Sequence, residues 1–130
     1  MELADIIKSS MPAAARREKN PCKRTFQAIR IAVNSELESL SEGLQAAFEI
    51  LAPGGRLVVI TFHSLEDRIV KQAFAGWCQG CICPPDFPVC VCHEKPKAKL
   101  INKKPILPSE EELAVNSRSQ SAKLRILEKL

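Results

Sequence analysis

Leu51-Ala52-Pro53-Gly54-Gly55-Arg56-Leu57-Val58-Val59-Ile60-Thr61-Phe62-His63-Ser64-Leu65-Glu66-Asp67-Arg68 reads as a tight turn, an apolar strand and the start of a helix. Proline fixes φ and glycine permits φ > 0, so Pro53-Gly54-Gly55 is turn chemistry. Residues 57–62 have almost no polar member, which suits a strand buried on both faces of a parallel sheet. Ser64, followed three residues later by Asp67, resembles a capping box, and an acid in the first turn suits the helix dipole. In open α/β sheets, ligands bind beyond the carboxyl ends of the strands. His63, Ser64, Glu66, Asp67 and Arg68 stand at such an end, so they are the first candidates for chemistry.

Upstream, residues 3–8 read as the end of a helix stopped before Pro12, and residues 13–21 as a polar, basic connection. From Phe26 the apolar positions Phe26, Ile29, Val33, Leu37, Leu40, Leu44, Ala47 and Leu51 keep helical spacing for about seven turns. Ser35 with Glu38 offers a second cap, so two consecutive helices also fit. Downstream, the helix that starts at Ser64 is expected to end near Gly76, followed by an irregular Cys- and Pro-rich loop over residues 77–96. Residues 99–107 read as a strand. Ser109 with Glu112 signals a short helix to Val115, and residues 116–120 a polar loop. Residues 122–127 alternate Ala122, Leu124 and Ile126 with Lys123 and Arg125, as a half-exposed strand does.

The chain has 130 residues, 45% hydrophobic and 26% charged, which suits one domain or a piece of a larger one. A net charge of +4 excludes little by itself. No apolar stretch approaches the roughly 20 residues of a membrane span and no signal peptide precedes the first helix, so a cytoplasmic location is expected. Six cysteines are many for this length, and five of them lie between positions 78 and 92. Without a secretory signal they point to metal binding or reduced thiols, not disulfides.

The cysteine pattern is Cys78-x2-Cys81-x-Cys83-x6-Cys90-x-Cys92-His93. Cys81, Cys83, Cys90 and Cys92 form two Cys-x-Cys pairs whose four thiolates would make a tetrahedral structural Zn²⁺ site; Cys78 and His93 are spare ligands. Reduced thiols in a Pro-kinked loop are the alternative. Gln27, Arg30 and Asn34 sit at i, i+3 and i+7 on one polar stripe of an otherwise core-facing helix. Basic residues recur at Arg16, Arg17, Lys19, Lys23 and Arg24, at Lys95, Lys97, Lys99, Lys103 and Lys104, and at Arg118, Lys123 and Arg125. Such residues suit phosphate contacts with RNA. Five Phe, one Trp and no Tyr leave few stacking aromatics, which argues against a free-standing reader of single-stranded RNA.

Four segments together resemble the bacterial family that methylates N4 of a cytosine in the decoding centre of 16S ribosomal RNA, using S-adenosylmethionine. They are Lys23-Arg24-Thr25-Phe26-Gln27-Ala28-Ile29-Arg30-Ile31-Ala32-Val33-Asn34, then residues 51–71, then the cysteine run 81–92, then Asn116-Ser117-Arg118-Ser119-Gln120-Ser121-Ala122-Lys123-Leu124-Arg125. The resemblance implies the C-terminal half of a class I (Rossmann-like) α/β methyltransferase sheet, with one buried parallel strand and a closing antiparallel hairpin. Residues 1–20 would end an inserted helical domain and its connection, and residues 21–130 would be the C-terminal part of the methyltransferase domain. Family members are more than twice this length, and their first half carries the Gly-rich loop and the acids for the cofactor. No residue of this chain matches those cofactor contacts, so the chain is expected to be a fragment inactive by itself.

In that reading His63 and Asp67 are the catalytic candidates, orienting the amine or relaying its proton. Gln27, Arg30, Asn34, Ser64, Glu66, Arg68 and Arg118 would bind the substrate, with 16S rRNA or the small ribosomal subunit as partner; an amide and a guanidinium suit a flipped base. On the residues alone, Ser64 reads equally as a helix N-cap with Asp67 and Arg68 on a solvated face. Two rival readings stand beside the enzyme: a non-enzymatic, zinc-stapled RNA-binding module, and an inactive truncated gene product.

Overall fold

Ala52-Pro53-Gly54-Gly55 forms the turn its composition demands: Gly55 N–H donates to the Ala52 carbonyl at 2.9 Å, and Gly54 sits at φ +79°. Proline second and a left-handed glycine third make this a type II turn. A Cβ on Gly55 would lie 2.8 Å from the Ala52 oxygen, so this site too requires glycine. A computed structural model describes residues 2–17, 20–81, 83, 89, 92 and 94–130. The chain divides into two compact units, Met1–Glu38 and Ser39–Leu130. That division falls inside the long helical run; the domain boundary near residue 20 is what the resemblance implies.

The first unit is helical: α1 (Leu3–Ser10), α2 (Ala13–Arg16), α3 (Lys23–Asn34) and the opening residues of α4 (Glu36–Ile50). Residues expected to be mere connection thus include a turn of helix, whose Arg16 guanidinium donates to the Met11 and Ser9 carbonyls at 2.8 and 3.0 Å. The long apolar run is two helices. Ser35 does not recap it with its hydroxyl; it closes α3 from the left-handed region, φ 48° and ψ 41°, with its N–H on the Ile31 carbonyl. Phe26, Ile29 and Val33 are exposed, so α3 is not the core-facing helix its spacing suggested.

In the second unit, β1 (Arg56–Thr61), β2 (Ala98–Leu100) and β3 (Lys123–Lys129) form a sheet in the order β1-β3-β2, both pairings antiparallel. The register runs from Arg56↔Glu128 to Thr61↔Lys123. Helix α5 (Ser64–Cys78) covers one face, where Leu127, Val70 and Phe74 are fully buried with Leu44 and Phe48 of α4. Leu57 and Val59 pack on this core, while Val58 and Ile60 are more than half exposed on the other face. The strand expected to be buried on both faces is therefore covered on one, because α4 and α5 both contribute to the same core. The helix runs past Gly76, since Trp77 stacks on Phe48 with ring centroids 4.1 Å apart, which outweighs the roughly 1 kcal/mol helix cost of glycine.

The closing pair is not a tight hairpin. Between β2 and β3 lie α6 (Glu110–Val115), capped by the Ser109 hydroxyl as expected, and a 3₁₀ turn at Ser117–Ser121. The strand expected over residues 99–107 stops after Leu100; the Ile101 N–H still donates to the Ile126 carbonyl at 3.0 Å, and beyond it the ladder partner is a side chain. Asn102 takes over: its Oδ1 accepts from Ile126 N–H at 2.7 Å, and pairing resumes at Ile106↔Leu124. Among the described residues no helix is long and apolar enough to cross a membrane.

Ser35→Gly tests the helix junction. A left-handed residue with a Cβ costs roughly 1–2 kcal/mol, and glycine returns part of that as chain entropy when unfolded. The variant should be more stable by up to about 1 kcal/mol in thermal or urea unfolding. A destabilised variant would refute the strain assigned to this position.

Candidate functional site at the end of the first strand

The backbone leaves β1 at Thr61 and enters α5 through a reciprocal cap. The N-cap is His63, not Ser64, and its partner is Glu66, not Asp67. His63 Nδ1 accepts the Glu66 N–H at 3.3 Å, while Glu66 Oε2 accepts from the N–H groups of Phe62 and His63 at 2.8 and 3.2 Å. The sequence pattern misplaced the cap by one residue because imidazole is an uncommon capping group. With Nδ1 accepting, the neutral ring carries its proton on Nε2. That atom is buried, lies 3.3 Å from Glu66 Oε1 and makes no hydrogen bond among the described residues. His63 is thus turned into the protein and fixes how β1 ends.

Asp67 is buried and bound. Its carboxylate accepts from Arg125 Nε at 2.7 Å and Nη2 at 3.2 Å, and Lys123 Nζ stands 3.4 Å away. The Arg125 hydrogen bonds, helped by the charges of Arg125 and Lys123, hold its carboxyl below the ordinary aspartate range against the opposing effect of burial. A carboxylate so stabilised is a poor proton acceptor at neutral pH, which weighs against a proton relay at Asp67. Arg125 and Lys123, read as phosphate contacts, face α5 instead. Nothing in the local sequence announces this, since the partners are more than fifty residues apart.

Ser64 and Arg68 are exposed on the same first turn, and Phe62 is more than half exposed beside them. The uncovered sheet face here holds a cavity of ≈ 300 Å³ lined by Ile60, Phe62, Ile106, Leu107, Leu124 and Asn116, among others. Arg118 is exposed on the 3₁₀ turn. In the first unit, Arg30 and Asn34 are drawn to Glu36: Arg30 Nε and Nη2 donate to its two oxygens at 2.8 and 3.1 Å, and Asn34 Nδ2 to Oε1 at 3.2 Å. Gln27 is half-buried on the same helix. Glu36 is the residue that the reading of this polar stripe missed.

Of the four expected metal ligands, Cys81, Cys83 and Cys92 come together, their sulfurs all within 4.8 Å of one another. Cys90 lies outside the described residues, as does the spare ligand His93. Cys78 joins the hydrophobic core, and burial pushes its thiol pKa up. The paired glycines do not fit the S-adenosylmethionine that the resemblance implies. Gly54 N–H is engaged with the Lys129 carbonyl and Gly55 N–H with that of Ala52, and both precede a strand.

The MraW methylase family model matches residues 1–130. The chain is 64% identical over 99% of its length to the ribosomal RNA small subunit methyltransferase H of Heliobacterium modesticaldum. It is 63% identical, over its whole length, to the protein of that name from Carboxydothermus hydrogenoformans, and 58% identical over 99% to that from a Paenibacillus species. It spans 41–42% of the length of these relatives.

The Asp67 pair has a pH signature. Its stabilisation is fully present above the unfolded aspartate pKa, about 3.9, and is lost as pH falls through the lowered folded value. Asp67→Asn should cost roughly 3 kcal/mol at neutral pH, the scale of a broken buried pair. Between pH 5 and pH 3, urea midpoints of the parent should fall more steeply than those of the variant. Parallel pH profiles would show that Asp67 is not the titrating partner.

Proposed function

The chain belongs to the MraW methylase family, and we propose that it forms the carboxyl-terminal part of an S-adenosylmethionine-dependent enzyme that methylates N4 of a decoding-centre cytidine in 16S rRNA. The whole-chain match to relatives named small-subunit rRNA methyltransferases carries this reading. In it, residues 1–20 close an inserted helical domain. The cofactor is held by the part of the longer protein outside this chain, and β1 continues there into a parallel sheet. The enzyme works in the cytoplasm, where ribosomal subunits are assembled.

In the second unit the groups that would meet RNA are the exposed Ser64, Arg68 and Arg118; the first unit, taken by itself, would offer Gln27, Arg30 and Asn34 of α3. Glu66, His63 and Asp67 act one step back. Glu66 and His63 hold the β1–α5 junction in one geometry, and Asp67 anchors α5 to β3. Amine methylation demands alignment within a fraction of an ångström, so a rigid strand end contributes to rate without touching the proton.

The test joins the amino-terminal part of the Heliobacterium modesticaldum relative to this chain. That chimaera should transfer labelled methyl from S-adenosylmethionine to 16S rRNA, and nucleoside mass spectrometry should identify N4-methylcytidine. Methylation at another atom, or none while the parent relative is active, would refute the reading. The 130-residue chain alone should show no cofactor binding by calorimetry.

His63 discriminates between positioning and acid–base roles. His63→Ala removes a cap, about 1 kcal/mol of stability, and should lower methylation. Asparagine is a good N-cap, so His63→Asn should restore both stability and rate to within several-fold of the parent. A loss of about 10²-fold or more in a stable His63→Asn chimaera would instead make the imidazole an acid–base participant.

A further inference from the structure

The segment joining α5 to β2 is fastened at its two ends. Lys97 N–H donates to the Trp77 carbonyl at 2.9 Å, and Gly80 lies so near Pro96 that a Cβ would meet the ring at 3.1 Å. Between these points the described residues contribute little to a core: Val89 is 70% exposed, and Glu94 and Lys95 are exposed. Closing a loop costs chain entropy, which a metal staple would offset.

Three thiols converge there. Cys92 Sγ and Cys81 Sγ are 3.6 Å apart, the Cys83 N–H donates to Cys81 Sγ at 3.4 Å, and all three sulfurs fall within 4.8 Å of one another. We propose that Cys81, Cys83 and Cys92 are three ligands of one structural zinc ion. Sulfurs bound at about 2.3 Å to a tetrahedral zinc stand about 3.8 Å apart, close to the observed Cys81–Cys92 separation. A disulfide needs about 2.05 Å. The backbone N–H on Cys81 Sγ stabilises negative charge on sulfur, the form a metal requires, as outer hydrogen bonds do around thiolate ligands.

The other cysteines are set apart by their surroundings. Cys22 is buried in the first unit with its thiol on the Ala4 carbonyl at 3.6 Å, and Cys78 packs into the core of the second. A soft, all-thiolate set selects zinc over hard cations. The ion staples the loop. It would hold Lys95 and Lys97 at a fixed place beyond α5, on a surface suited to an anionic partner.

The experiment purifies the chain under reducing conditions without chelator and measures metal by elemental analysis, expecting one zinc per chain. Exchange with cobalt(II) should give thiolate-to-cobalt charge-transfer absorption and the intense visible bands of a tetrahedral site. Cys83→Ser should weaken zinc binding roughly tenfold or more, while Cys78→Ser should leave the stoichiometry unchanged. Should Cys83→Ser fail to fold, alkylation of the parent chain decides: zinc should protect Cys81, Cys83 and Cys92 together, and a chelator should expose them. Four results would each overturn the site: a folded chain without zinc or a cobalt spectrum; iron in place of zinc; a Cys81–Cys92 disulfide in the isolated protein; or protection that maps to other residues.

Discussion

The Asp67 carboxylate, held between Arg125 and Lys123, is the constraint on which the second unit turns. It ties the first turn of α5 to the central strand of the sheet, at the place where β1 ends. Leaving an arginine buried beside a missing acid is costly, so the helix start has one favoured seat. The His63–Glu66 cap then inherits its position from that seat. A hydrophobic contact would have allowed α5 to slide; a two-pronged ion pair fixes its register and its rotation.

That tie inverts the usual arrangement of the sheet. The face under α5 carries Lys123 and Arg125 beside buried Thr61 at one end and Leu57 and Leu127 at the other. The opposite face carries Val58, Ile60, Leu124 and Ile126, with Val58 and Ile60 more than half exposed. Alternation alone would have put the charges in water and the apolar residues in the core. It gives a strand's period correctly, but it does not say which face a helix covers when the charged residues have a buried partner. The apolar face and the edge of β1 accord with a chain that spans 41–42% of its relatives' length.

Local chemistry was readable where it is local. Pro53 and Gly54 specified their turn, Ser109 its helix, and the apolar run its strand, since each depends on neighbours within four residues. The β1–α5 cap was found but assigned one residue late, because serine is the commoner cap and histidine is rarely weighed as one. The family motifs pointed to the β1–α5 junction as the candidate site, yet the partners of Asp67 were invisible: Arg125 lies 58 positions away in sequence. Glu36 was missed for a different reason. It follows a break at Ser35 that helical periodicity runs straight through, so its hold on Arg30 and Asn34 has no signature in the spacing.

The same sorting applies to the basic residues, whose count alone suggested an RNA surface. Arg16 closes carbonyls of the first unit, Lys99 and Arg56 pair with Glu128, Lys123 and Arg125 hold Asp67, and Lys129 Nζ donates to the Phe48 and Glu49 carbonyls at 2.9 and 3.1 Å. Lys129 also lies 5.0 Å from the Phe48 ring centroid, so one ammonium serves a helix end and a core aromatic together. These cations have internal work. Lys95, Lys97, Lys103, Lys104 and Arg118 remain exposed, all in connections between elements. Phosphate contacts act through counterion release and are worth most where a cation is solvated and mobile before binding. Lys23 and Arg24 of α3 and Arg68 and Lys71 of α5 are exposed as well, so the cations open to a phosphate partner lie on helices and loops alike, while β3 uses its own to build the platform.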